Sequence, residues 1–257
     1  MSSGNARAAT PDDEFWLFGY GSLIWKPPPH YDRRIPGYVH GYVRRFWQAS
    51  QDHRGTPAHP GRVATLIERA FWAALPVADP HDAAPDRVWG VAYRIEPARV
   101  AEVKEYLDIR EINGYSIHYT SFHPAARTGD KNGDQQSETI RTLVYIGTPT
   151  NDQFVGPQDP QALAEHIYVS SGPSGPNRDY LLSLETALDA LSPGESGDGH
   201  ITDLSKRLRA LDAQVARGEL CAEDLSARVW ARHEKEPEAH PITKVSSVEE
   251  QEETEKS

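Results

Sequence analysis

The amino-acid sequence predicts an α+β fold in which helices pack on a small, strongly bent or barrel-like β-sheet. Two observations lead to this class. Between residues 15 and 147, runs rich in valine, isoleucine and aromatic residues end at glycine or proline, which is typical of short strands. After residue 147, apolar residues recur every three or four positions, which indicates amphipathic helices.

Seven runs in the first part are predicted strands, and one helix interrupts them. The strands are 15–23, 42–50, 62–68, 71–77, 87–95, 115–123 and 138–147. The helix covers 97–111, because Pro97 suits a first helical position and apolar residues follow at helical spacing. Asn113 and Gly114 favour a left-handed cap at its end.

Four helices are predicted in the second part, at 159–172, 177–191, 202–218 and 222–236. Asp159 followed by Pro160 predicts the beginning of the first helix, and Asn177 is expected to cap the second. Gly218 is expected to end the third.

Composition limits the classes of partner. The chain has 257 residues, with 27 Lys and Arg against 38 Asp and Glu, so its formal net charge is −11. This balance disfavours nucleic acid and acidic membranes as partners. The single cysteine, Cys221, cannot form an intrachain disulfide. No run approaches the ~20 apolar residues of a membrane span, and no basic segment precedes Phe15, so a cytoplasmic protein is expected.

The predicted domain covers residues 14–233. Residues 1–13 are small and polar and are expected to be a disordered N-terminal tail. Residues 234–257 are expected to be an acidic C-terminal tail, and residues 78–87 and 126–137 to be loop insertions.

The sequence "GYGSL" places Gly19 and Gly21 around Tyr20, directly after an apolar strand. Glycines here allow a tight turn whose N–H groups bind a carboxylate or an oxyanion. A bulge or a barrel corner explains the same glycines, so the pattern leaves both open. Ser22 does not fit a nucleophile elbow, because Tyr20 and Ile24 stand where that motif has glycine.

A second candidate is the acidic pair Glu102 and Glu111 in and after the predicted helix. Glu111 falls at the helix end, where partial negative charge and burial would both raise its pKa towards the range useful for proton transfer. The alternative is a surface pair of Glu111 with Arg110. The nine-residue separation puts Glu102 about 180° away on a continuous helix, so the two carboxylates are not expected to form a dyad.

The segment 44–62 is a third candidate, with four arginines and one aspartate in an acidic protein. It is interpreted either as a basic loop that receives an anionic ligand or as arginines that neutralise the protein's own acids. A metal site on Asp52, His53 and His59 is disfavoured, because their spacing matches no metal motif. The turn "SSGPSGPNRDYL" is a ligand loop or a plain connection between helices.

Six stretches together resemble the ChaC-type glutathione-specific γ-glutamylcyclotransferases. They are "FGYGSLIWKP" (18–27), "RRFWQASQDHRGTPAHPGRVATL" (44–66), "VWGVAYRI" (88–95), "YLDIREINGY" (106–115), "LVYIGT" (143–148) and "GPSGPNRDYL" (172–181). They occur in family order over roughly residues 15–192, whereas the tails and the two insertions depart from compact members of the family.

The resemblance implies a γ-glutamylcyclotransferase-like fold, a small mixed β-barrel with flanking helices. It also implies cleavage of glutathione to 5-oxoproline and cysteinylglycine without a metal or an organic cofactor. The carried-over catalytic residue is Glu111, and the carried-over substrate-binding residues are Tyr20, Gly21, Ser22, Leu23, Glu102 and Tyr180.

Two other functions stay open on the same fold. One is a non-catalytic γ-glutamyl-binding protein, and the other is an enzyme acting on different γ-glutamyl amines. The intact "YLDIRE" favours an enzyme, and the long match at 44–62 favours glutathione. Oligomeric state is left open.

Overall fold

The structure is a computed structural model, and it describes residues 14–76, 79–81, 84–110, 115–125 and 138–235. The strands are β1 (Trp16–Gly19), β2 (Tyr31–His40), β3 (Tyr42–Ser50), β4 (Gly61–Glu68), β5 (Arg87–Ile95), β6 (Ser116–Pro124), β7 (Ile140–Ile146), β8 (Ser171–Gly172) and β9 (Gly175–Pro176). The helices are α1 (Arg69–Ala73), α2 (Val100–Arg110), α3 (Pro160–Val169), α4 (Asn177–Leu191), α5 (Gly199–Ala216) and α6 (Ala222–Lys235).

Five strands form a closed barrel in the order β1-β5-β2-β6-β7. The barrel is mixed, because β1 runs parallel to β7 and the other neighbours are antiparallel. Strands β3 and β4 form a separate two-stranded sheet. Helices α3 to α6 pack on one another, and α4 also contacts β4 and β5. The predicted α+β class, with a small mixed barrel and flanking helices, is confirmed.

Two glycines make room inside the barrel. Gly37 of β2 lies opposite Gly90 of β5. A Cβ at Gly37 would collide with the ring of Phe122, and a Cβ at Gly90 would come 2.7 Å from the ring of Phe18. The two phenylalanine rings, 5.7 Å apart, therefore fill the space that these glycines leave.

Strand β2 was not predicted from the sequence, and the strand predicted at 71–77, whose last residue lies outside the described residues, is wrong. Proline disfavours a central strand, but Pro36 directly precedes Gly37, the first residue of β2 in register with β6, so the N–H that it lacks breaks no ladder bond with β6. The run predicted as a strand at 71–77 begins within α1, where Phe71 and Trp72 pack beside a small cluster around Trp47.

The helix predictions hold at α3, where Asp159 accepts a hydrogen bond from the N–H of Ala162 at 2.8 Å. The predicted cap at Asn177 is wrong. Asn177 is the first residue of α4, and no side chain caps this helix. Within the described residues, no helix is long and apolar enough to cross a bilayer.

Candidate functional site

Two adjoining cavities lie between the barrel, β3 and the start of α4. The larger has a volume of about 120 Å³ and the smaller about 70 Å³. Ser22, Tyr115 and Tyr180 line both, so the two cavities are neighbours around the same side chains. Residues 18–23 form one wall of the smaller cavity, and residues 49, 50 and 52–54 form one wall of the larger.

The glycine loop is shaped by the protein's own side chains. After β1 ends, a short 3-10 turn over Ser22–Ile24 reverses the chain. A Cβ at Gly19 would lie 2.5 Å from the Cβ of Leu23, and a Cβ at Gly21 would lie 2.9 Å from the hydroxyl of Tyr180. Neither glycine has a positive φ. Close approach of these side-chain atoms is therefore one reason for glycine at both positions.

Four tyrosines line the smaller cavity, and two of them, Tyr20 and Tyr180, belong to the expected substrate site. Tyr20 is buried, and its hydroxyl donates to the carbonyl of Tyr145 in β7 at 2.8 Å. Tyr180 lies in the first turn of α4 and packs against Trp25 and Phe46 with ring centroids 5.6 and 5.7 Å apart. The helix thus carries Tyr180 onto the glycine loop.

Two of the four arginines in 44–62 are occupied inside the protein. Arg44 is buried, bonds the carbonyl of Trp89 and pairs with Asp198 at 3.2 Å. Arg45 is buried and pairs with Asp79 at 2.5 Å. Neither lines the cavities, so both fit the interpretation that these arginines neutralise the protein's own acids.

Arg54 differs from the other three because it lines the larger cavity. Its side chain is only 8% exposed, donates to the carbonyl of Pro176 at 3.0 Å and lies 5.5 Å from the ring centre of Tyr180. No carboxylate of the described residues forms an ion pair with it. Burial lowers the pKa of the Arg54 guanidinium, and Tyr180 and Asp179 partly offset this. Arg62 is buried and donates to the side-chain oxygen of Gln158 and to the carbonyls of Pro60 and Gly61.

The structure does not bring Glu102 to these cavities. Glu102 lies on the exposed side of α2, accepts a hydrogen bond from Arg99 at 2.8 Å and contacts His30 at 3.1 Å. The bond from Arg99 and the contact with His30 lower its pKa. Glu111, the predicted acid and base, directly follows α2 and lies outside the described residues.

The histidines of 44–62 are apart from one another. The ring of His59 lies against Trp230, with centroids 4.3 Å apart, whereas His53 contacts the hydroxyl of Ser174 at 3.2 Å. In the part of the chain that the structure describes, no three His, Cys, Asp or Glu side chains are placed to share a metal ion.

Sequence reasoning missed several residues that line the larger cavity. Lys26, Tyr115 and Ser50, the last residue of β3, fall inside the family-like stretches but were not singled out. Gln153 comes from a polar loop after β7 and carries no pattern that could have identified it.

Comparison with known proteins gives a consistent result. The profile of the ChaC-like protein family matches residues 15–211. The chain is 44% identical over 214 residues to a Saccharomyces cerevisiae protein named glutathione-specific gamma-glutamylcyclotransferase, which covers 73% of this chain and 90% of the yeast protein. It is 42% identical over 205 residues to a Schizosaccharomyces pombe protein of the same name. This match covers 79% of this chain and 96% of the Schizosaccharomyces pombe protein.

A solved structure agrees with these sequence matches. The crystal structure of a yeast γ-glutamylcyclotransferase specific to glutathione is 40% identical, has a TM-score of 0.66, and covers 77% of this chain and 96% of that protein. Because the family profile spans most of the chain and the relatives match over nearly their whole length, the chain belongs to the ChaC-like family.

Proposed function

We propose that this protein is a glutathione-specific γ-glutamylcyclotransferase, a lyase that cleaves glutathione to 5-oxoproline and cysteinylglycine. The observation that carries the proposal is its 44% identity with the yeast protein of that name over 90% of that protein's length. The cavities beside the glycine loop support it, because they offer a small buried space next to a cation.

The reaction needs no nucleophile from the protein. The α-amine of the γ-glutamyl group attacks its own δ-carbonyl carbon and closes a five-membered ring, and the bond to the cysteinyl nitrogen breaks. Tethering of amine and carbonyl in one molecule supplies a high effective concentration. The protein's tasks are to take a proton from the ammonium group, to stabilise the oxyanion and to protonate the departing amine.

The proposed pose puts the γ-glutamyl group in the smaller cavity, along Tyr20, Gly21, Ser22 and Leu23 and under Tyr180. Cysteinylglycine then extends into the larger cavity, with its glycyl carboxylate at Arg54. This arrangement is supported by the buried guanidinium of Arg54, which has no ion-pair partner among the described carboxylates.

Two acidic residues complete the proposal. Glu111 is the acid and base that moves both protons. Glu102 was also expected to bind substrate, but it lies outside these cavities, so it takes part only if it leaves its partners Arg99 and His30. Neither role depends on a metal or an organic cofactor.

The remaining parts of the proposal concern partners and location. We expect glutathione as the small-molecule substrate, no nucleic-acid or membrane partner, and a cytoplasmic location, which cell fractionation tests. Residues 14–233 are the proposed catalytic domain.

The decisive experiment is incubation of the purified protein with glutathione and, separately, with γ-glutamyl-alanine, followed by detection of 5-oxoproline. Release from glutathione alone supports the proposal. Release from γ-glutamyl-alanine at a similar rate would indicate an enzyme for other γ-glutamyl amines. Binding of glutathione without any 5-oxoproline would indicate a binding protein.

A further inference from the structure

The first residue of α4 makes contacts that helix capping does not explain. Asn177 is completely buried. Its side-chain oxygen accepts from the backbone N–H of Arg62 at 2.6 Å, and its side-chain nitrogen donates to the carbonyl of Arg62 at 2.7 Å. The backbone N–H of Asn177 donates to the carbonyl of Ser170 at 2.9 Å.

The two hydrogen bonds between the Asn177 amide and the Arg62 backbone have the same pattern as the bonds that a neighbouring strand would make. The N–H and the C=O of one strand residue point to the same side, so one primary amide can satisfy both. Arg62 lies opposite Ala49 of β3, and Asn177 supplies the partner on the other edge of β4. The contact spans 115 residues of sequence and joins α4 to β4 directly.

Two residues that line the larger cavity, Arg54 and Tyr180, are held close to this contact. Pro176, directly before Asn177, offers its carbonyl to Arg54 at 3.0 Å. Tyr180, one helical turn after Asn177, places its hydroxyl against Gly21. Gly61, directly before Arg62, has no room for a side chain, since a Cβ there would lie 2.8 Å from the Asn177 oxygen and close to the carbonyl of Arg54.

We propose that Asn177 is a positioning residue: its amide holds the start of α4 on β4 and thereby fixes where Arg54 and Tyr180, which contact each other, stand in the lining of the substrate cavity. This inference rests on the proposed function, because its readout is the handling of glutathione. A primary amide is required, since it presents one donor and one acceptor on the same edge. A carboxylate of the same shape has no donor for the Arg62 carbonyl.

The test variant is Asn177→Asp, which keeps the size of the side chain and removes the donor. We expect the variant to fold, to raise KM for glutathione roughly tenfold and to lower kcat/KM by roughly 10- to 100-fold, the scale expected for a misplacement of about 1 Å in a site. Circular dichroism and urea unfolding establish the folded fraction at the assay temperature. Asn177→Leu, which removes both bonds, is the second variant if the aspartate variant does not fold.

A double-mutant cycle separates positioning from a merely structural role. If Asn177 acts through Arg54, the KM effect of Asn177→Asp should shrink to less than about threefold in an Arg54→Ala background. The matched control is Asp159→Ala, which removes the cap of α3 and should lower stability without changing KM.

The results that would overturn the inference are distinguishable from the result that would overturn the proposed function. Folded variants at Asn177 with unchanged kcat and KM, or effects that simply add to those of Arg54→Ala, overturn the positioning role. A wild-type protein that releases no 5-oxoproline overturns the proposed function instead. In that case the dissociation constant of glutathione is measured by calorimetric titration of the same variants. Equal dissociation constants for wild type and Asn177→Asp would overturn the inference.

Discussion

Among the individual residues, Arg54 carries the most chemical information. A buried guanidinium is costly unless hydrogen bonds or an opposite charge compensate it. Arg44 and Arg45 have such compensation from Asp198 and Asp79, whereas Arg54 has a carbonyl and an aromatic ring. No carboxylate of the described residues pairs with Arg54, and in the proposed pose the glycyl carboxylate of glutathione does so.

Arg54→Ala should raise KM for glutathione by roughly 10- to 150-fold, since a charge-assisted contact contributes about 1.5–3 kcal/mol. The turnover number should change much less, because the glycyl carboxylate is bound equally in the ground and transition states. Steady-state kinetics with glutathione and with its glycine amide measure this. An equal KM change for both substrates would show that the glycyl carboxylate is held elsewhere. Arg178→Ala, on the exposed face of α4, is the control.

Glu111→Gln should fold normally and lose turnover by roughly 10²- to 10⁴-fold, the usual scale for the loss of a general acid or base. Single-turnover release of 5-oxoproline measures the chemical step directly. Activity close to wild type would rule out Glu111 as the acid and base. The same assay on Glu102→Gln shows whether the second acidic residue takes part.

Gly21→Ala should lower activity because the new methyl group would meet the hydroxyl of Tyr180 at 2.9 Å. The loss should be much smaller in a Tyr180→Phe background, where that oxygen is absent. Comparing kcat/KM across the four proteins gives the coupling between the two positions. Independent, additive losses would contradict the close contact as the reason for the glycine.

At the level of elements, α3 carries a buried histidine that makes folding sensitive to pH. His166 is bonded to the carbonyl of Pro60 at 2.6 Å, and burial together with Arg62 lowers its pKa to about 3. Because the unfolded histidine titrates near 6.5, the unfolded chain binds more protons between these values. The contribution of His166 to the free energy of unfolding is therefore complete above pH 6.5 and is lost as the pH falls towards 3.

Replacing His166 should flatten this dependence. In the wild-type protein, the free energy of unfolding should decrease as the pH is lowered from about 6.5 to about 5. In His166→Gln this decrease should be smaller by up to about 1.4 kcal/mol per pH unit, the value for one proton. Urea unfolding of both proteins at several pH values in this window measures the slopes. Identical slopes would show that His166 protonates without unfolding. Burial also lowers the pKa of His200, so part of the pH dependence of stability should remain in the His166→Gln variant.

At the scale of the whole molecule, a chain with net charge −11 must attract an anionic substrate locally. No metal cluster occurs among the described residues, and the cavity cations are Lys26 and Arg54. We therefore expect EDTA to leave glutathione cleavage unchanged. Loss of activity with EDTA, restored by a divalent ion, would show that a metal takes part.

The features of this protein that depend on residues close together in the chain could be predicted from the sequence alone. The strand-rich first part, the helical second part and the Asp159 cap all depend on neighbours within a few residues, and they were predicted correctly. The family-like stretches identified the glycine loop and Tyr180, which the structure brings together at one cavity. The identity of Glu111 as acid and base remains a prediction.

Only the tertiary structure decided which partners these residues have. Strand β2 was missed because its proline is tolerated only at a place where one neighbouring strand has ended. Arg54 could not be separated from three similar arginines, because burial and pairing with Asp198 or Asp79 are set by residues far along the chain. Asn177 looked like a helix cap from its neighbours, but its amide pairs with Arg62, 115 positions away, and such a contact exists only once the whole chain has folded.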